Sequence, residues 1–291
     1  MIEIKNITKK YDKFVALEDF DLKIPTSSIF GLVGINGAGK STLLRLLAGV
    51  FRADKGEILI DGEKIFENER KKKEILFLPD EPFYTPLMNG NAVARLYKAF
   101  YNFDEKIFQD YIKIYNLSLT APLRSFSKGM KRRLFVAIAF ASSPKYLFLD
   151  EVFDGIDPAA RLVFRRGLID LVTRTGCTAV IASHSLRELE DICDGYGLID
   201  GKKIISSGSL RDSLEQLFKF QIAFDKPISR EDLGFECQSF ETSGRIIKIV
   251  FRGDKEETLK KIQKLKPLIV DEMSVDFEEL FISGVQGKVE L

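Results

Sequence analysis

Short apolar segments alternate along the first 210 residues with longer segments in which apolar residues recur at the spacing of a helix. This alternation predicts an α/β fold with a largely parallel sheet. Several apolar segments are almost continuous, which is typical of strands buried on both faces. The predicted strands cover residues 2–7, 28–33, 57–60, 75–78, 146–149, 178–182 and 196–199, and Asp61-Gly62 and Asp200-Gly201 are predicted hairpin turns.

The pattern changes between residues 82 and 142. Segments 92–101 and 105–115 repeat apolar residues three and four positions apart. That spacing gives a helix one apolar face. We therefore expect a helical insert over about 82–142, within a first domain that covers residues 1–212.

The pattern changes again from about residue 211. Segments 218–224 and 245–251 alternate like strands, 255–264 is a charged amphipathic helix, and an apolar stretch follows at 268–270. These elements predict a small α+β C-terminal domain over residues 213–291.

The composition narrows the classes of function. The chain has 291 residues, enough for about two domains, and its hydrophobic fraction of 45% allows a large core. A net charge of +1 argues against a broad electrostatic grip on nucleic acid or on an anionic membrane. The one histidine, His184, excludes a multi-histidine metal centre. The three cysteines form no CxxC pair, so neither a disulfide framework nor a zinc site is indicated.

No segment predicts a membrane span or a leader. The longest apolar run, residues 134–141, is shorter than the roughly 18 residues that a span needs. Residues 1–14 lack the apolar stretch of a signal peptide. We therefore expect a cytoplasmic chain whose cysteines are buried, reduced thiols.

The strongest motif is a phosphate loop between an apolar strand and a helical segment. It matches the pattern GxxxxGK[ST]. Glycines allow backbone N–H groups to turn toward a phosphate, and the helix that follows presents its positive end to the same anion. Lys in this motif reaches the β- and γ-phosphates, and Ser binds Mg²⁺. The candidate nucleotide-binding residues are Gly34, Asn36, Gly37, Ala38, Gly39, Lys40, Ser41 and Thr42.

Two carboxylates follow the apolar strand at residues 146–149. In open parallel sheets, ligands bind at the carboxyl ends of the strands. Asp150 and Glu151 are consecutive, so alternation turns their side chains in different directions. We expect Asp150 to hold Mg²⁺ and Glu151 to activate the attacking water as a general base.

With these motifs, the first 210 residues resemble the nucleotide-binding subunit of ABC transporters. Ser125 to Arg133 resembles the signature motif of that family, usually LSGGQ, and Gly155 to Pro158 resembles its D-loop. The resemblance implies a P-loop NTPase (ABC ATPase) core with an antiparallel N-terminal β part. It also implies site roles for six further residues: Tyr11 on adenine, Ser127, Gly129 and Asp157 at the nucleotide, Asp80 at the Q-loop and His184 as the switch histidine.

Each of these residues also has a plain structural interpretation. Ser127 and Gly129 fit a helix N-cap and its turn. Tyr11 fits an aromatic residue at a strand end, and a lone histidine after a strand is more often an ordinary surface or core residue. The order of the motifs along the chain favours the nucleotide site.

The sequence departs from the family pattern at two motifs. Asp80 stands where the Q-loop usually has Gln; a carboxylate accepts from water or binds Mg²⁺, but it cannot donate an amide N–H. In the signature, Lys128 replaces the first Gly and Met130 replaces Gln. These features resemble the branch that pairs with ABC-2-type permeases, and the tail beyond residue 211 resembles an accessory domain of that branch.

The resemblance implies that two chains, identical or paralogous, close around two ATP molecules and drive a separate integral membrane permease. The resemblance also implies that Lys40, Glu151 and His184 take part in catalysis, and that Ser41, Asp80 and Asp150 hold Mg²⁺. The permease is expected to dock near residues 80–101. This implies export, no nucleic-acid partner, and a place on the cytoplasmic face of the membrane reached only through the permease.

Two other functions compete with transport. The chain could be a soluble clamp that acts on ribosomes, DNA or an assembly complex, but it lacks the second nucleotide domain or the coiled-coil insertions of such proteins. It could also be a regulatory module without ATPase activity, but Lys40, Asp150, Glu151 and His184 argue against that loss. The sequence favours an ATPase coupled to transport.

Overall fold

A computed structural model describes residues 1–85 and 87–286 of the chain; Pro86 and residues 287–291, which fall in the predicted insert and C-terminal domain, lie outside the described residues. The described strands are β1 (Ile2–Tyr11), β2 (Phe14–Ile24), β3 (Ile29–Val33), β4 (Lys55–Ile60), β5 (Glu63–Lys64), β6 (Ile75–Leu78), β7 (Tyr146–Asp150), β8 (Thr178–Ser183), β9 (Gly195–Asp200), β10 (Lys203–Ser209), β11 (Leu217–Ala223), β12 (Ser239–Ser243), β13 (Ile246–Arg252) and β14 (Ile269–Met273).

Helices connect most of these strands. They are α1 (Lys40–Leu47), α2 (Glu69–Lys72), α3 (Gly90–Lys98), α4 (Glu105–Ile114), α5 (Lys128–Ser142), α6 (Pro158–Thr175), α7 (Leu186–Glu190), α8 (Leu210–Glu215), α9 (Lys255–Lys264) and α10 (Phe277–Gln286). The chain divides into two compact units, Met1–Ser207 and Gly208–Leu291, whereas the sequence analysis puts the boundary after residue 212.

A six-stranded sheet with the order β10-β9-β3-β8-β7-β6 forms the centre of the first unit. The pairs β9–β3, β3–β8, β8–β7 and β7–β6 are parallel. Every residue of β3, β7 and β8 is buried, because these strands have neighbours on both sides and are covered on both faces. The residues after Val33, Leu149 and Ser183 therefore meet at one edge of the sheet.

A second sheet in the same unit is antiparallel and has the order β2-β1-β4-β5. No predicted strand covers β2, because its alternation of apolar and polar residues is interrupted. Its pairing with β1 shifts register between Ile4 and Ile7, and again between Ile7 and Lys9, while Asp19 of β2 adopts a φ of 44°. A bulge of this kind moves later side chains to the other face and conceals the period of two.

The predicted helical insert, about 82–142, contains α3, α4 and α5. The apolar run from Leu134 to Ala141 is buried within α5, so it is a core helix and not a membrane segment. Across residues 1–85 and 87–286, no helix has both the length and the apolar character that a bilayer crossing requires.

The turn predicted at Asp200-Gly201 is displaced by one residue. Asp200 is the last residue of β9, and the two turn residues are Gly201 (φ 53°) and Lys202 (φ 72°). Two consecutive positive φ angles define the hairpin turn that matches the twist of the strands. The Asp61-Gly62 turn between β4 and β5 is found where the sequence predicts it.

The second unit contains a four-stranded antiparallel sheet with the order β12-β13-β11-β14. Alternate residues of β11 and β13 bury an apolar face, including Phe220, Ile222, Ile247 and Ile249, and Ile262 of α9 belongs to the same core. The predicted helix over 255–264 is found with those bounds. No predicted strand covers β12, since its sequence SFETS is mostly polar.

The three cysteines are free thiols. Cys177 and Cys237 are buried, and Cys193 is half-buried. Burial raises the pKa of Cys177 to about 12. A thiol with such a pKa stays protonated and unreactive at neutral pH, as expected of a structural cysteine.

Candidate functional site

The phosphate loop connects β3 to α1 at the carboxyl edge of the parallel sheet. Gly39, at the N-cap of α1, has a φ of 108°, which residues with a Cβ rarely adopt. A Cβ at this position would also lie 2.7 Å from the carbonyl oxygen of Ala16. The first turn of α1 has no side-chain cap and no acidic residue, so its N–H groups and positive end suit an anion.

Lys40 is buried at the start of α1. Its Nζ donates hydrogen bonds to the carbonyl oxygens of Gly34 at 2.7 Å and Ile35 at 3.3 Å, and lies 3.5 Å from Oε1 of Glu151. Burial of an ammonium is costly unless it is paired and hydrogen-bonded. The loop carbonyls and Glu151 thus hold this cation at the centre of the predicted site.

Ser41 and Asp150 meet beside Lys40. The Ser41 hydroxyl donates to Oδ1 of Asp150 at 3.0 Å, and the Asp150 side chain is buried. Burial raises the pKa of Asp150; the Ser41 hydrogen bond opposes this shift, and the charge of Glu151 adds to it. The structure thus joins a loop hydroxyl to the carboxylate at the end of β7, as the sequence predicts for a cation site.

Glu151 and His184 form the next contact along the edge. Nδ1 of His184 lies 2.9 Å from Oε2 of Glu151. Glu151 adopts a φ of 45°, a backbone conformation uncommon outside glycine and one that recurs at functional sites. Ligand atoms of Glu151, Asp154 and His184 all lie within 4.8 Å of one another. The strand-end carboxylate and the lone histidine are therefore one cluster.

Asp80 pairs with two cations of α5, and its negative charge adds to the effect of burial, which raises the pKa of Asp150. Its Oδ1 lies 2.5 Å from Nη2 of Arg132 and 3.4 Å from Nζ of Lys128. Such pairing competes with the Mg²⁺ ligation that the sequence analysis assigns to Asp80.

The signature and the D-loop are in contact within this chain. Ser127 is the N-cap of α5, and its hydroxyl accepts from the Met130 N–H at 3.2 Å. A Cβ on Gly129 would collide with the carbonyl oxygen of Gly155, so the close approach needs glycine. Asp157 caps α6 through the Ala160 N–H at 2.9 Å, which holds the pKa of Asp157 below its usual value.

Tyr11 lies at the end of β1, with its side chain partly exposed. Its ring packs edge-on against Phe51 at a centroid distance of 5.8 Å, and Nζ of Lys9 lies 5.5 Å from its centroid. Tyr11 and Phe51 line an open cavity of about 830 Å³ to which no residue of the phosphate loop contributes. Stacking of Tyr11 on adenine remains a prediction.

Comparison with known proteins identifies the family. A family model described as ABC transporter matches residues 17–154. The ABC transporter ATP-binding protein YtrB of Bacillus subtilis is 30% identical over 289 residues, which cover 99% of this chain and 99% of YtrB. The chain belongs to the ABC transporter ATP-binding protein family. It is therefore an ABC ATPase.

Two further similarities extend over large parts of the ABC ATPase. The Nod factor export ATP-binding protein I of Rhizobium etli is 27% identical, covering 97% of this chain and 92% of its own. A dimeric structure of the ATP-binding cassette MJ0796, in a post-hydrolysis state bound to ADP and Pi, has a TM-score of 0.65 at 21% identity. It covers 72% of this chain and 99% of its own, and shows that the fold is that of an ABC cassette.

The predicted residues of this ABC ATPase fall into two groups. The loop side brings together Lys40, Ser41, Asp150, Glu151 and His184. Gly34, Asn36, Gly37, Ala38 and Gly39 precede α1, and Thr42 lies in its first turn. The second group is Asp80, Ser127, Gly129 and Asp157, which belong to the Q-loop, signature and D-loop motifs. Asp80 is joined to the loop side through Arg132, whose Nη1 donates to the carbonyl oxygen of Asp150. Hydroxyl and carboxylate oxygens are the donors that Mg²⁺ prefers, so Ser41 and Asp150 fit this ion beside nucleotide phosphates.

Two residues that contact the candidate site, Asp154 and Arg132, are not predicted from the sequence. Asp154 follows Glu151 by three positions, and this short spacing was the available signal. Arg132 is the middle residue of the basic run 131–133, just before the apolar core of α5. A run of three charges at the start of a buried helix cannot all face solvent, which was the signal for a buried arginine.

Proposed function

We propose that this ABC ATPase hydrolyses ATP at the loop side of the site and thereby drives a separate membrane permease, in export. The observation that carries the proposal is the Lys40 ammonium, held between the loop carbonyls and Glu151 beside the Ser41–Asp150 pair. A cation, a cradle of N–H groups and a pair of oxygen ligands in one place are what a nucleoside triphosphate requires.

Each residue of the loop side has a role in the proposed reaction. Lys40 leaves its carbonyl partners to bind the β- and γ-phosphates of ATP. Glu151 takes the proton of the attacking water, and His184, 2.9 Å from Glu151, orients that water and contacts the γ-phosphate. Mg²⁺, held by Ser41 and Asp150, would neutralise charge on the phosphates.

The proposed active unit contains two such chains. One phosphate loop and one signature occur in this sequence, and the similar cassette MJ0796 is dimeric. We propose that Ser127 and Gly129 of one chain complete the ATP site of the other. ATP then favours the closed dimer because it binds that state more tightly, and hydrolysis allows the dimer to reopen.

The proposed permease contact lies beyond Asp80, at residues 80–101. Phe83 and Leu87 are 83% and 81% exposed, and Phe100 is 66% exposed. Exposed large apolar side chains that are close in sequence suit a protein interface. The similarity to a Nod factor export protein over 97% of the chain favours export, and a permease contact puts the chain on the cytoplasmic face of the membrane.

Purification from the native cell tests the transport proposal. We expect the tagged full-length chain to leave solubilised membranes together with an integral membrane protein, and Phe83→Asp to reduce that yield while the ATPase activity of the free chain is kept. Co-sedimentation with ribosomes, and no membrane protein in the eluate, would contradict transport.

A further inference from the structure

Arg132 is an arginine buried in the first turns of α5, with 2% of its surface exposed. A buried guanidinium needs a counterion and acceptors for its N–H groups. Nη2 pairs with Oδ1 of Asp80 at 2.5 Å, while Nη1 donates to the carbonyl oxygens of Pro79 at 3.2 Å and Asp150 at 3.5 Å. All these acceptors belong to two neighbouring strand ends.

The guanidinium lies where the pairing of β6 with β7 stops. The last paired residues are Leu78 and Leu149, so Pro79 and Asp150 are the next residues along the two strands. Pro79 has no N–H with which to continue the ladder. Arg132 joins the two carbonyl oxygens at this point and thereby connects the strand ends that the proline leaves unpaired.

Asp80 connects these ends of β6 and β7 to the signature motif at the start of α5. Lys128 and Arg132 are four residues apart on α5, so their side chains lie on one face of the helix. Both cations contact Oδ1 of Asp80, and Nζ of Lys128 also lies 3.9 Å from Asp154. Asp80, α5 and the backbone of Asp150 are therefore joined by one continuous set of contacts.

We propose that Arg132 is a positioning residue for ATP hydrolysis: it couples the position of the Asp80 segment to that of Asp150 and Glu151. Arg132 acts through the backbone of Asp150, one residue before the proposed base, and does not itself touch ATP. The inference rests on the proposed function, since it assigns Arg132 to the reaction at the loop side.

A substitution can separate the positive charge of Arg132 from its ability to bridge a carboxylate and two carbonyl oxygens. Arg132→Lys keeps a cation for Asp80, but a single ammonium cannot replace the planar fork that reaches a carboxylate and two carbonyls. We expect Arg132→Lys to keep a melting temperature within about 4 °C of the wild type, because the substituted side chain still carries a positive charge for Asp80.

Steady-state ATPase assays of the full chain test the proposal, with ATP and Mg²⁺ varied separately. For Arg132→Lys, kcat is expected to fall on the order of 10- to 100-fold, as for a displacement of about 1 Å at a catalytic group. The KM for ATP is expected to change less than about 3-fold, because the phosphate loop is intact. Half-maximal activity should also require more Mg²⁺, since the backbone that carries Asp150 is displaced. Arg174→Met, an exposed arginine that pairs with Asp170 on α6, is the control and should stay at the wild-type rate.

Asp80→Asn provides a second, independent variant in which Arg132 keeps both carbonyl bonds but loses its counterion. Its kcat should fall less than that of Arg132→Lys, and the double variant should lose less than the product of the two single losses. Wild-type kcat and Mg²⁺ requirement in Arg132→Lys would overturn the proposal. So would a loss explained entirely by the fraction unfolded at the assay temperature. A wild-type chain without Mg²⁺-dependent ATPase activity would instead overturn the proposed function.

Discussion

The two sides of the candidate site, the loop side and the side around Asp80, are held in place by different kinds of interaction. On the loop side, backbone geometry fixes the arrangement: a glycine at φ 108°, a buried lysine on two carbonyl oxygens and a carboxylate at a buried strand end. The Asp80 side consists of Asp80, Lys128 and Arg132, and ion pairs between these side chains fix their arrangement.

This difference explains where the sequence keeps the family pattern. Few residues other than glycine fit the backbone at Gly39, and an ion in this position needs hard oxygen donors. On the Asp80 side, a carboxylate in place of Gln comes together with a lysine in place of Gly, and the two are 3.4 Å apart. The two departures therefore compensate each other in charge.

The largest effect is expected when a substitution removes the proposed general base of the loop side. Glu151→Gln should lower ATP turnover by on the order of 10²- to 10⁴-fold, since the amide cannot accept the proton of water. ATP binding should persist, and ATP should trap the closed dimer. Phosphate release and light scattering with ATP measure these outcomes, with Glu105→Gln on α4 as the control. Undiminished turnover would remove Glu151 as the base.

Asp150→Asn separates activity from stability on the same side. Mg²⁺-dependent turnover should fall by on the order of 10²-fold or more, because a charged ligand is lost where positioned electrostatic groups contribute that much. Without Mg²⁺, however, the variant should melt about 2–4 °C higher at pH 8, the shift expected when roughly 1 kcal/mol of burial cost is removed.

The sign of the pH dependence follows from the raised pKa of Asp150. The folded chain holds this proton more tightly than the unfolded chain, so the contribution of Asp150 to stability is present at low pH and is lost as the pH rises through the raised pKa. The melting advantage of Asp150→Asn should therefore shrink as the pH falls toward about 4, the ordinary value for Asp. An advantage that grows on acidification would contradict burial as the cause.

His184→Ala should have an intermediate effect. The loss in rate is expected to be at least about 10-fold, the lower part of the range for positioned proton-transfer or charge-stabilising groups. His184→Gln keeps a side-chain donor near Glu151 and should lose less. Since 48% of the His184 side chain is exposed, both variants should melt close to the wild type. Equal rates in His184→Ala and the wild type would exclude the histidine from the reaction.

The smallest effect is expected at Lys128, on the Asp80 side. Its side chain is 57% exposed, and exposed ion pairs contribute roughly 0–1 kcal/mol. Lys128→Met should change turnover by less than about 3-fold, and the difference from the wild type should diminish in high salt because exposed charges are screened. A loss as large as that of Arg132→Lys would show that the exposed Lys128 couples the two sides as strongly as the buried arginine does.

On the loop side, the sequence predicts which residues lie together because the motif, the strand and the helix are consecutive there. Lys40 and Ser41 follow β3 directly, and parallel strands bring Asp150 and His184 to the same edge. The family resemblance supplied Asp80 and Ser127, but their partners within the chain were not predictable. Arg132 reaches back over fifty residues to Asp80, and only tertiary packing decides which of three consecutive basic residues is buried.

The sequence also predicts some strands and not others. Continuous apolar runs reveal β3, β7 and β8, whereas β2 and β12 pass unrecognised. In β2 a bulge at Asp19 breaks the alternation, and in β12 polar residues lie at the edge of a sheet. Edge strands need not be apolar because one side has no neighbour.

Mixing two inactive chains tests the central claim most directly, namely that each ATP site combines the loop side of one chain with the signature of another. Lys40→Met removes the loop cation, and Ser127→Asp keeps the N-cap of α5 but repels the γ-phosphate. When equal amounts of the two chains form dimers at random, half of the dimers contain one chain of each kind. Each mixed dimer has one intact site, formed by the phosphate loop of the Ser127→Asp chain and the signature of the Lys40→Met chain. ATPase activity should therefore return to about a quarter of the wild type. If the mixture stays as inactive as its components while the wild-type chain alone hydrolyses ATP, the loop side of one chain does not act with the signature of the other in the way proposed, and the account is wrong.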